Sequence, residues 1–166
     1  MVLTATDNES GIDQTYYKID SGSWAAYSAP VEITIDGGHM VSYYSVDVTG
    51  NVESIKSTNL SIDHTPPDIT LTKQAVSLFE ILFTAQVSDV MSGIDRVEFS
   101  LDEQLQYTDT QSPYEWTWTG LGDHTVTATA YDLAGNAESQ AMSTPYDIHL
   151  WVNPIPVQTQ KLSMAY

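Results

Sequence analysis

The chain has 166 residues, 42% of them hydrophobic, with 22 acidic against 5 basic side chains and a formal net charge of −17. That charge repels nucleic acid and anionic membrane surfaces and sets both aside as partners, while the hydrophobic share is enough for packed cores over the first 149 or so positions. There is no cysteine, so no disulfide framework or thiolate chemistry is available, and no run of roughly 18 to 20 apolar residues offers a membrane-spanning helix.

Taken in chain order, apolar and polar residues alternate at period two through most segments, and no long helical period occurs, which predicts an all-β chain. Strands are expected near residues 2–6, 15–19, 31–35, 39–46 and 52–62, with Gly, Asp, Asn and Pro between them. The segment Asp63-His64-Thr65-Pro66-Pro67 then reads as a short, stiff linker, because proline fixes φ and biases the residue before it toward extended backbone. Further strands are expected near 68–72, 80–88, 95–101, 114–119, 124–131 and 137–146.

The two runs of strands repeat one another. Asp7-Asn8-Glu9-Ser10-Gly11-Ile12-Asp13 returns 82 residues later as Asp89-Val90-Met91-Ser92-Gly93-Ile94-Asp95. Tyr44-Ser45-Val46-Asp47-Val48-Thr49-Gly50-Asn51-Val52-Glu53-Ser54 returns 85 residues later as Thr129-Ala130-Tyr131-Asp132-Leu133-Ala134-Gly135-Asn136-Ala137-Glu138-Ser139, and His39 corresponds to His124. Two modules are therefore expected, over residues 1–64 and 65–149. The strand opening the second has no counterpart ahead of Val2, so the first is expected to lack its first strand and to leave a sheet edge and an apolar groove open. Residues 150–166 fall outside the scheme but include an apolar strand candidate. Donation of Leu150, Trp151, Val152, Ile155 and Val157 to a neighbouring chain's groove would make the protein a subunit of a filament or array; the plainer reading leaves them as a tail.

Two loops offer chemistry. The Asp-x-x-Gly-Asn runs Asp47 to Asn51 and Asp132 to Asn136 supply the hard oxygen ligands that calcium prefers, and the linker residues Asp63 and Asp68, with Asp7, Glu9 and Asp89, would complete a site between modules. The competing reading, which the residue types favour, is turn chemistry: Gly and Asn at positive φ and an aspartate capping backbone N–H groups. His39 and His124 are expected to be structural hydrogen-bonding residues. No nucleophile elbow, HExxH helix or phosphate-binding glycine loop is present, and no convergent nucleophile, base and orienting group can be assembled, so no enzyme and no required cofactor are expected.

The residues also carry a resemblance. Asp7…Ser10-Gly11-Ile12, Tyr16-Tyr17-Lys18-Ile19-Asp20, Trp24…Tyr27-Ser28-Ala29-Pro30, Tyr43-Tyr44-Ser45-Val46-Asp47…Gly50-Asn51 and Ile62-Asp63-His64-Thr65-Pro66-Pro67 resemble the bacterial and archaeal Ig-like repeats of large surface proteins. Ser112-Pro113-Tyr114-Glu115-Trp116-Thr117-Trp118 and His124 through Asn136 are similar to a sister class of bacterial Ig-like domain. The resemblance implies two tandem immunoglobulin-like antiparallel β-sandwiches joined by a short Pro-Pro linker, in an extracellular or cell-surface protein. The implied role is a non-catalytic spacer, adhesion or protein-interaction unit, with other repeats of the parent chain or neighbouring surface proteins as partners. One tryptophan-bearing face is expected in a core. Trp24 and Tyr27, near a turn, could instead stack on sugar rings, which gives carbohydrate binding as the alternative function.

Overall fold

The computed structural model describes residues 1–144. Among these the strands are β1 (Ile12–Ile19), β2 (Ala25–Ala26), β3 (Gly37–Asp47), β4 (Lys56–Ile62), β5 (Asp68–Ala75), β6 (Glu80–Ser88), β7 (Ile94–Leu101), β8 (Gln104–Asp109), β9 (Tyr114–Thr119), β10 (Thr125–Asp132) and β11 (Ala137–Ser143). They form three antiparallel sheets, in the orders β2-β1-β3-β4, β5-β6-β9 and β11-β10-β7-β8. The fold is all β and immunoglobulin-like, as the alternation and the resemblance predict.

The second and third sheets pack face to face. Successive side chains of a strand point to opposite faces, so β6 buries Ile81, Phe83 and Ala85, β7 buries Val97 and Phe99, and β10 buries Val126, Ala128 and Ala130. Phe83 and Phe99 come from different sheets and meet Trp116, with ring centroids 6.1 and 6.2 Å away. Leu71 of β5 and Trp118 of β9 complete the core. β8 has no counterpart among the expected strands. The turn before it is Asp102-Glu103, both at positive φ (46° and 68°), the sign a type I′ hairpin requires and more usually supplied by Asn-Gly. Asp102 is held there by its own carboxylate, which accepts from Thr125 N at 2.9 Å and bonds His124 Nδ1 at 2.6 Å.

The first repeat keeps only one of the two sheets. Residues 2–6 and 31–35, expected as strands, are not strands here. Met1 and Val31 exchange two backbone hydrogen bonds, of 2.6 and 3.0 Å, but the ladder goes no further. The physical reason lies in the second repeat, where β6 is held on both sides, by β5 and by β9; residues 2–6 have no counterpart of β5 beside them. The face that would meet a second sheet is also partly polar. Thr15 and Ser45, whose hydroxyls hydrogen-bond at 3.0 Å, stand where the second repeat has Val97 and Ala130. A cleft of about 380 Å³ lies between Leu3–Asp7 and the Tyr43, Ser45 and Lys56 side of β3 and β4, the position that β5 takes in the second repeat, so the groove expected there is of mixed polarity rather than apolar.

Candidate functional site

Each Asp-x-x-Gly-Asn loop closes on itself. Asp47 N donates to Asn51 O at 3.1 Å, and Asn51 returns N–H to Asp47 Oδ1 at 2.7 Å and Nδ2–H to Oδ2 at 2.6 Å. Asp132 and Asn136 repeat the pattern at 3.1, 2.8 and 2.7 Å. Gly50 and Gly135 take the left-handed backbone, at φ 88° and 96°; the asparagines do not and act instead as side-chain clamps. These bonds hold the Asp47 carboxyl well below the usual carboxylate range, Asn51 Nδ2 contributing most. For Asp132, burial pushes the carboxyl up, but the donors from Asn136, Gly135 and Ala134 together outweigh it and the net shift is downward.

The second loop does more than close a turn, because the linker docks on it. Asp63 Oδ2 accepts from Ser92 N at 3.1 Å, and Asp63 O accepts from Asn136 Nδ2 at 3.2 Å. Pro67 is fully buried just beyond. On its other side the linker is tied to the first repeat: Asp36 Oδ1 accepts from His64 N at 2.9 Å and bonds His64 Nδ1 at 2.8 Å, and Oδ2 accepts from Thr65 Oγ1 at 2.7 Å. Those bonds, Thr65 first and His64 next, lower the Asp36 pKa. Asp36, His64 and Ser92 were not among the candidates, and nothing in their local spacing marks them.

Of the predicted metal ligands, Asp63 and Asp132 converge with Asp89, each offering a carboxylate oxygen within 4.8 Å of the others; Asn136 lies beside them through its bond to Asp132. Asp68 is exposed at the start of β5 and is not part of the cluster, and Asp47 and Asn51 belong to the other repeat. An all-oxygen donor set suits calcium. The same carboxylates already serve the backbone: Asp89 Oδ1 accepts from Met91 N, Ser92 N and Gly93 N at 3.0, 2.8 and 2.6 Å.

The matched histidines are paired with matched aspartates. His39 Nδ1 bonds Asp20 Oδ2 at 2.8 Å, while Asp20 Oδ1 accepts from Met40 N at 2.8 Å; His124 and Asp102 form the same pair, and Asp20 and Asp102 are 82 residues apart. The carboxylates raise both imidazole pKa values, chiefly by hydrogen bonding. The His39 bond is the largest cause lowering Asp20, and the Thr125 amide, then His124, lowers Asp102. A raised histidine stabilises the fold fully below its unfolded value of 6.5 and ceases to as pH rises through its folded value; a lowered aspartate does so above 3.8 and ceases as pH falls through its folded value. The pairs should therefore contribute most between those ranges. NMR titration should find His39 and His124 titrating above an ordinary histidine. Asp20→Asn with Asp102→Asn should return both toward it and flatten the fall in melting temperature on the alkaline side.

The predicted glycan residues do not form one patch. Trp24, 37% exposed, packs edge-on against Tyr44 at 4.8 Å, Tyr44 stacks on Tyr16 at 5.2 Å, and Lys18 Nζ sits over the Trp24 ring. Tyr27 packs against Tyr17 at 6.2 Å, on the opposite face of the sheet, and its hydroxyl accepts from Leu3 N at 3.2 Å. Leu150, Trp151, Val152, Ile155 and Val157 lie outside the described residues.

The second repeat thus has two packed sheets, a linker tied to their end and the Asp-x-x-Gly-Asn hairpin. Residues 61–128 match the family model of the bacterial Ig domain. This Ig-like match runs from the end of β4 into β10. No curated protein matches the chain. Among solved structures, the chain is similar to the fibronectin(III)-like modules of Clostridium thermocellum CbhA, at 19% identity and TM-score 0.53, over 84% of this chain and 80% of that one. Weaker likenesses are to the central fibronectin-III array of RIM-binding protein, at 16% identity, TM-score 0.36 and 83% of this chain against 58% of that one, and to the D00-D0 domain of intimin, at 16% identity, TM-score 0.28 and 82% against 87%. Ig-like and fibronectin(III)-like families are generally non-catalytic, and bacterial Ig domains are typical of extracellular or surface proteins.

Proposed function

We propose that the chain is a spacer and protein-interaction unit of an extracellular or cell-surface protein, with one module over residues 1–64 and another over 65–149, joined by a stiff linker. The supporting observation is a linker fastened at both ends: Asp36 holds His64 and Thr65 from one side, and Ser92 and Asn136 hold Asp63 from the other. Such a joint keeps two modules in a set orientation, which a Gly/Ser-type linker would not do. Asp63→Ala is expected to broaden the distribution of inter-module orientations in small-angle scattering and residual dipolar couplings while leaving each module folded. A wild-type chain already as broad as the variant would overturn the reading.

Calcium fits this joint as a stiffener, because a divalent cation relieves the repulsion among Asp63, Asp89 and Asp132. A ligand bound by the folded state raises its stability, so melting of the second module should shift upward with calcium and lose that shift in Asp89→Asn. Equal melting in calcium and in chelator would remove the cation from the joint.

Carbohydrate binding is supported by the Trp24, Tyr44 and Tyr16 face. The counterparts of Tyr16 and Tyr44 in the second repeat are Glu98 and Thr129, so the fold itself does not demand aromatics there. If sugars stack on this face, Trp24→Ala should weaken retention on a neutral polysaccharide by about 2- to 10-fold, and Tyr27→Ala should leave it unchanged.

A further inference from the structure

The two repeats present the same group of backbone and side-chain donors at the same end. In the first, Asp7 Oδ2 accepts from Ser10 N and Gly11 N at 2.9 and 2.8 Å; in the second, Asp89 Oδ1 accepts from Ser92 N and Gly93 N at 2.8 and 2.6 Å. Gly11 and Gly93 share a φ of 83°. Val48 N donates to Gly11 O at 3.0 Å as Leu133 N donates to Gly93 O at 2.9 Å, so the two loops are braced to one another alike in both repeats.

What differs is the occupant. At the second tip Asp63 sits on Ser92 N and Asn136 Nδ2, and Asp132 is left only 2% exposed. At the first tip Ser10, Asp47 and Asn51 are the counterparts, Asn51 is exposed, and its Nδ2 reaches Thr49 Oγ1 at 3.0 Å within its own loop. Position 134, the counterpart of Thr49, is alanine in the second repeat; there the same amide hydrogen serves the linker.

We infer that the tip formed by Asp7–Gly11 and Asp47–Asn51 is a docking site for a linker of the Asp63–Pro67 type carried by another module of this kind. The incoming aspartate would accept from Ser10 N, its carbonyl would take Asn51 Nδ2 from Thr49, and the prolines after it would follow the path on which Pro67 is fully buried in the second repeat. The three carboxylates this brings together are the set that Asp63, Asp89 and Asp132 already form, so their proximity is compatible with the fold. The partner extends the spacer reading, yet the two can fail separately: one concerns the joint made by the native Asp63, the other a tip that this Asp63 does not touch.

The test uses the whole chain extended at its front by a second copy of residues 61–82. Residue 83 aligns with Met1 at the offset of 82, so the added copy brings a linker and a β5 equivalent in register. Hydrogen exchange at the Ser10 amide should slow about tenfold, the change expected for a new hydrogen bond to a charged group, and the Asn51 side-chain amide resonances should move. The Ser10 effect should vanish when the added copy carries Asp63→Ala, which removes the carboxylate but keeps the backbone carbonyl that Asn51 Nδ2 reaches. Should the extended chain fail to fold, a free peptide of residues 61–70 added to the unextended protein decides the matter by shifting Ser10 and Asn51 and sparing Ser92 and Asn136. Unchanged Ser10 and Asn51 signals, or a Ser10 change that survives Asp63→Ala in the copy or peptide, would overturn the inference.

Discussion

Phe99→Ala should lower the stability of the second module by about 3 to 5 kcal/mol, the usual cost of emptying a buried aromatic site. Phe99 is fully buried, lies between Val97 and Leu101 on β7, and faces Trp116, which also meets Phe83 of the opposite sheet. Removing the ring takes away a contact that holds the two sheets together, and strands paired on both sides leave little room for collapse into the space. Against a total of about 5 to 15 kcal/mol for a domain, a loss of that size is a large share of the margin. Denaturant unfolding followed by tryptophan fluorescence should show a much lower midpoint with little change in slope. Val41→Ala, at the buried hydrophobic position of the first repeat, should cost roughly 1 to 2 kcal/mol, since fewer methyl groups leave and the surrounding face is partly polar.

This contrast also explains what could be read from the sequence. The alternation of β6, β7 and β10 is written in Ile81-Leu82-Phe83-Thr84-Ala85, Val97-Glu98-Phe99 and Val126-Thr127-Ala128-Thr129-Ala130, and period two translates directly into a buried face. Residues 2–6 and 31–35 carry similar patterns, yet a strand forms only where a neighbour offers its backbone, and pattern alone does not supply the neighbour. Hairpin β7–β8 was hidden for a different reason: Asp102 reaches positive φ because Thr125 N and His124, more than twenty residues away, hold its side chain. In the candidate site, the glycines at positive φ and the capping aspartates of the Asp-x-x-Gly-Asn loops were legible from local spacing, whereas Asn51 and Asn136, expected at positive φ, act as side-chain clamps. The convergence of Asp63 with Asp89 and Asp132 was legible only as a guess about linker geometry. Trp24 and Tyr27 were paired by proximity in sequence, but they are three apart along an extended edge, and odd separations point to opposite faces. Trp24 packs instead on Tyr44, which cross-strand register stacks on Tyr16.

Gly120→Ala should destabilise the second module by about 1 to 3 kcal/mol, although alanine is ordinarily the better residue outside left-handed backbone. Gly120 follows β9, donates its N–H to Phe79 O at 3.0 Å, and does not take positive φ. A methyl group added there would sit 2.5 Å from Cζ2 and 3.0 Å from Cε2 of Trp118. That indole is only 8% exposed and packs against His124 at 5.5 Å, so it cannot swing aside without disturbing the core or the Asp102 to His124 pair. The entropic gain from restricting the unfolded chain, about 0.4 to 1 kcal/mol, is smaller than the overpacking cost. Gly38 supplies the control. It too lies outside left-handed backbone, and a Cβ there would meet nothing within 4 Å, so Gly38→Ala should be neutral or stabilising by that same entropic amount. The melting temperature of Gly120→Ala should fall while that of Gly38→Ala holds or rises, with a change in near-ultraviolet circular dichroism from Trp118 in Gly120→Ala alone; a higher melting temperature for Gly120→Ala would mean that the indole is freer than its burial implies.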